Sequence, residues 1–137
     1  MKPIRTIALA LAILFGVTAS LTIGQNQNRR SRASKEFMRD KLELSQKLLE
    51  GLANEDYDLL IAKATRLSAM SQEAGWQVFE NPEYAEHSLT FRKNVDALVR
   101  AAKNKNLDGA TLAYVRMTMN CVDCHKFVRG KLVASAR

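Results

Sequence analysis

Apolar residues recur along this chain in four blocks with the spacing of one face of an α-helix, the last two at steps of three and four throughout. The first block runs through Phe37, Met38, Leu42, Leu44, Leu48, Leu49 and Leu52. Ser34 precedes it as a cap, Glu36 stands in its first turn, and Gly51 lies near its close. The second holds Leu59, Leu60, Ala64, Leu67 and Met70, with Asn54 as cap, Glu55 and Asp56 at the dipole-positive end, and Gly75 marking its end. The third repeats Phe91, Val95, Leu98 and Ala102 behind Asn81-Pro82, a helix start in which the asparagine caps and the proline takes the first helical position. The fourth starts at Asn106, has Asp108 in its first turn, and carries Leu107, Ala110, Tyr114, Met117, Cys121, Cys124 and Val128. That alternation of threes and fours is the seam of a helix packed in a bundle.

Four helices with short connections pack most simply as an all-α, antiparallel up-down-up-down four-helix bundle, expected over residues 34–130 with a tail at 131–137. The N-terminus reads differently. Lys2 and Arg5 precede an apolar run from Ile7 to Val17, and small residues follow it, so residues 1–20 read as a secretory signal peptide. Its alternative is an uncleaved anchor, although Thr18, Ser20 and Thr22 dilute the apolar character below a comfortable membrane span. Residues 21–33, with Arg29, Arg30 and Arg32 among polar neighbours, read as a flexible lead-in.

The length of 137 residues suits one domain, and 47% hydrophobic with 26% charged residues is an ordinary globular balance. The formal charge is +7. Without Lys2 and Arg5 it is about +5, which suits acidic redox partner proteins or an anionic surface better than nucleic acid in an exported protein.

Both cysteines of the chain lie in Cys121-Val-Asp-Cys124-His125, on the inward stripe of the last helix. A thioredoxin-like dithiol would need a βαβ context, and zinc would need a fourth ligand, with the other histidine, His87, remote in sequence. A disulfide across so short a loop would stabilise little. C-x-x-C-H is instead the c-type haem attachment signature, with thioethers from Cys121 and Cys124 to one covalent haem and His125 as an axial iron ligand. An exported, periplasmic location agrees with it. No second constellation of acid, base or nucleophile points to catalysis, so an enzyme is not expected.

The chain resembles the class II c-type cytochromes, the cytochrome c-prime family with its low-spin, six-coordinate relatives. The resemblance is carried by CVDCHKFVR near the C-terminus, where Arg129 stands four residues after the histidine, and by PEYAEHSLTF, where Pro82 and Phe91 keep the family's spacing. It covers roughly residues 34–130. The family's tryptophan three residues after that proline is Ala85 here. The resemblance implies a haem-propionate or histidine-shielding role for Arg129, and a possible homodimer through helices one and two.

The group facing His125 decides the function. If the first helix runs antiparallel to the fourth, Met38, about four residues from one end, is level with His125, about four residues from the opposite end, at about 1.5 Å per residue. Met70 is a rival, since its helix ends at the same level. Met117 and Met119 share the histidine's own helix and lie more than a turn away. Low-spin family members place a ligand methionine about 17 residues before the acidic start of helix two, and Met38 and Glu55 have that separation. A thioether ligand implies single-electron transfer, and an open face implies a five-coordinate iron binding nitric oxide or carbon monoxide. A third reading is a haem-bearing subunit held by a larger partner at the membrane, if the N-terminal segment is retained. Trp76 and Phe79 are expected to close a loop over the bundle end near the haem, His87 to be a surface or capping residue, and Tyr114 to lie in the core.

Overall fold

The computed structural model describes residues 32–77 and 79–135. The secretory and anchor readings of residues 1–20, and most of the expected lead-in, lie outside them. Packing divides the chain into Met1–Glu36 and Phe37–Arg137. Of the first unit only 32–36 are described, and they are helical.

The described residues form four helices and no strand, a four-helix bundle of antiparallel neighbours. They are α1 over 32–53, α2 Tyr57–Met70, α3 Pro82–Lys103 and α4 Leu107–Ser135. Residues 32 and 33 already belong to α1, so Ser34 sits inside the helix and does not cap it. At the other end, α4 runs through 131–135 and takes in most of the expected tail. No helix among the described residues is long and apolar enough to cross a membrane.

Two connections are tight and built alike. Between α1 and α2, Glu55 adopts φ 54°, and between α3 and α4, Lys105 adopts φ 52°. A single left-handed residue turns the chain, and the next residue caps the following helix. Asp56 accepts a hydrogen bond from the Leu59 amide at 2.9 Å, and Asn106 accepts one from the Gly109 amide at 2.8 Å. Asn54 is therefore not the cap of α2. Its side-chain amide donates back to the Glu50 carbonyl at 2.9 Å and closes α1. Asn81 caps α3 as its sequence indicates, accepting from the Tyr84 amide at 2.8 Å. α2 ends at Met70, well before Gly75. Gly75 has no left-handed φ, and its smallness serves a close approach: a Cβ there would stand 3.0 Å from the Phe37 ring.

The core follows the helical stripes. α2 buries Leu60, Ala64, Leu67 and Met70. α3 buries Phe91, Val95, Leu98 and Ala102, and the same stripe runs back through Ser88 to Tyr84. α4 buries Ala110, Ala113, Met117 and Asn120, with Cys121, Cys124 and Val128 half-buried beyond them. Each fully buried leucine contributes about 2 kcal/mol of transfer free energy. On α1 the seam is narrower than the apolar pattern indicates. Leu48 and Leu52 are buried, but Leu42 and Leu49 are 59% and 55% exposed. The inward row is Phe37, Lys41, Leu44, Leu48 and Leu52, so a lysine occupies a seam position.

Candidate functional site

α4 sets the chemistry of one end of the bundle. Its stripe carries Cys121 and Cys124 one turn apart and His125 beside them. Opposite stands the beginning of α1. Met38, Lys41, Leu42 and Ser45 of α1 and Cys121 and His125 of α4 line one small, half-open cavity of about 100 Å³, below the usual range of small-molecule sites. Met38 is thus brought to the same cavity as His125. Met70 is not: it is buried in the bundle and lines no part of this cavity. Met117 is fully buried and Met119 is 60% exposed, and neither lines the cavity.

The cysteines are unpaired. Burial pushes both thiols above their ordinary pKa, and the Lys41 ammonium pulls each part of the way back. His125 is held below the usual imidazole range, first by partial burial and then by the positive charges of Lys41 and Arg129. These effects favour the neutral ring, the form that keeps a lone pair for donation. Arg129 is exposed and acts on His125 through space. Among the described residues no three His, Cys, Asp or Glu side chains converge to hold a bare metal ion.

Lys41 is the site residue that sequence reasoning missed. Its Nζ lies 3.5 Å from the centroid of the Trp76 ring and 5.0 Å from that of Phe91. A half-buried cation–π contact of this kind is worth about 1 kcal/mol. Burial still dominates and lowers the Lys41 pKa from its ordinary value. The signal was present in the sequence, since Lys41 lies four residues after Phe37 and seven before Leu48, on the seam itself.

Trp76 makes the platform rigid. It is 3% exposed, and its indole N–H donates to Ser88 Oγ at 2.9 Å. The Tyr84 hydroxyl donates to its backbone carbonyl. Its ring packs on Phe91 at 4.8 Å between centroids and on Phe37 at 6.5 Å. The loop between α2 and α3 is thereby tied to α3 and α1 at the end of the bundle that carries the cavity. Phe79, in the same loop, stacks on Tyr84 and on Phe127 of α4. His87 packs on Phe127 at 5.5 Å, outside the cavity, Ala85 is exposed, and Tyr114 is half-buried against the core.

The thiol environment gives a pH-dependent expectation for protein made without any attached group. A raised pKa means less thiolate at a given pH, and the thiolate is the nucleophile. Alkylation of Cys121 and Cys124 by iodoacetamide, followed by mass spectrometry, is expected to rise at higher pH than that of free cysteine. Lys41→Met removes the cation that lowers both values, so it moves the profile higher still. A profile at or below that of free cysteine would contradict this account.

Comparisons of the chain with protein-family models, with curated proteins and with solved structures return no match.

Proposed function

We propose that this is an exported monohaem c-type cytochrome that carries single electrons. The observation that carries the reading is one cavity lined by Cys121 and His125 of the C-x-x-C-H run on one side and by the Met38 thioether on the other. The donor set fits a covalent haem: two thiols one helical turn apart, an imidazole, a sulfur ligand from the facing helix, and an apolar wall from Leu42. The bound group would supply the one-electron couple of its iron.

The chain's own residues supply the rest. Cys121 and Cys124 would each add S–H across a vinyl group: the S–H bond breaks, an S–C bond forms, and the hydrogen goes to the neighbouring vinyl carbon. No electrons are exchanged in that addition. His125, adjacent to the second attachment point, is held where it can donate its lone pair. Met38, on the antiparallel helix, would offer a thioether ligand to the same group, and thioether ligation raises the potential. The basic balance of the chain suits an acidic redox partner protein. The N-terminal signal-like segment supports a periplasmic location, with membrane attachment if that segment is retained.

The test is the visible spectrum of the protein produced in an export-competent, haem-attaching host, oxidised and reduced, with and without carbon monoxide. Sharp low-spin bands unaffected by carbon monoxide are the expected result. A broad high-spin spectrum that shifts with carbon monoxide would replace electron carriage by gas binding at an open iron. A denatured protein without covalent haem would sink both.

A further inference from the structure

The half-buried lysine beside the cysteines has no anionic partner among the described residues. The ion pairs among the described residues join Lys47 to Glu50, Arg66 to Glu73 and Lys126 to Asp123, and none involves Lys41. A lysine at a seam position of a bundle helix is a costly choice for packing alone, because burial disfavours its charge. Here it is held in place all the same. Its ammonium rests on Trp76, which Ser88, Tyr84, Phe91 and Phe37 fix from four directions. Its charge is felt at Cys121, Cys124 and His125.

We propose that Lys41 is a potential-setting residue: a fixed positive charge inside the site that raises the reduction potential of the group attached to Cys121 and Cys124. The inference rests on the haem reading above and goes beyond it, since neither the C-x-x-C-H run nor the axial ligands involve Lys41. The physical argument is electrostatic. Oxidised iron carries one more positive charge than reduced iron, so a nearby cation disfavours the oxidised state. Between packed helices that interaction is screened far less than at a surface. The contact with the Trp76 and Phe91 rings holds the ammonium against the bundle, where a lysine on a free face would extend into water.

The experiment compares the parent with Lys41→Met, Lys41→Gln and Lys41→Arg, each haem-loaded, by potentiometric titration of the visible spectrum. Met keeps the length and apolar stem of the side chain, Gln is a second neutral replacement if Met loads poorly, and Arg keeps the charge. At the parent's midpoint, the neutral variants are expected to show an oxidised-to-reduced ratio about tenfold higher, which is about 59 mV for a one-electron couple. The arginine variant is expected to stay near the parent. Neutral variants at the parental potential, or neutral and arginine variants shifting together, would overturn the proposal while the cytochrome reading stands. A parent without thioether-linked haem, judged by haem staining after denaturation, would overturn both. Trp76 is the sole tryptophan and gives a readout without haem. In unloaded protein Lys41→Met is expected to change its fluorescence and Lys41→Arg to leave it close to the parent's. Fluorescence identical in all three would show that the cation is not on the ring, and would overturn the proposal independently of the haem.

Discussion

Met38→Ala is expected to convert a low-spin, six-coordinate spectrum into a high-spin one that binds carbon monoxide. Met38 is the methionine that lines the cavity with Cys121 and His125, and alanine offers no donor in its place. The potential should fall as well, since the thioether that favours reduced iron is gone. Packing contributes less. Met38 is only half-buried, so truncation should cost about 1–2 kcal/mol in unloaded protein, below the range for a fully buried methionine. Spectroscopy separates the two effects: thermal unfolding of the unloaded variant reports packing, and the loaded variant's visible bands report ligation. An unchanged low-spin spectrum would remove Met38 from the iron. Met70→Ala would then be the next variant to test, against the geometry described above.

The second large effect is expected from the cysteines. Cys121→Ala with Cys124→Ala should abolish covalently held haem, read as complete loss of haem staining after denaturation. Either single variant leaves one thioether and should retain haem at lower yield. The reason is chemical and does not depend on folding. Both side chains are half-buried and unpaired, so alanine removes no disulfide and opens no fully enclosed cavity. Helical content by circular dichroism in unloaded protein should therefore stay near the parent's. Haem that remains covalently bound in the double variant would refute attachment at this run.

The sequence showed the helices well where a cap or a proline carries its own stereochemistry. Asn81-Pro82 and Asn106 start α3 and α4 where the pattern indicates. The start of α2 is less legible, because Asn54, Glu55 and Asp56 can all serve a helix end, and only the left-handed turn at Glu55 decides that Asp56 caps. The seam of α1 was misread for a different reason. Leu42 and Leu49 satisfy helical spacing, yet they face outward, while Lys41 faces in with its aliphatic stem covered. Hydropathy ranks residues by type and cannot see that a lysine stem packs. On α3, Tyr84 and Ser88 complete the buried stripe, but a polar hydroxyl at each hid them from an apolar count.

The site was legible in its chemistry and less so in its surroundings. Cys121, Cys124 and His125 follow from local spacing, and Met38 from the antiparallel run of two helices. Met38 and Met70 are equivalent in the sequence pattern and differ in the third dimension, where Met38 lines the cavity and Met70 does not. The platform under Lys41 was invisible in the sequence because its parts come from α1, the α2–α3 loop and α3. No periodicity links residues so far apart.

The cavity's two walls come from opposite ends of the bundle unit, α1 near residue 38 and α4 near residue 125. Closing a chain segment of about 85 residues costs about 4 kcal/mol in conformational entropy beyond its constant part. The α1–α2 and α3–α4 hairpins close across connectors of a few residues and bear almost none of that cost. Chain entropy therefore weighs far less on the two local hairpins than on the contact of the wall that carries Met38 and Lys41 with α4. Cys121, Cys124 and His125 all lie on α4, so their mutual spacing is set within one helix, whereas the position of Met38 and Lys41 against them depends on the longest closure in the bundle.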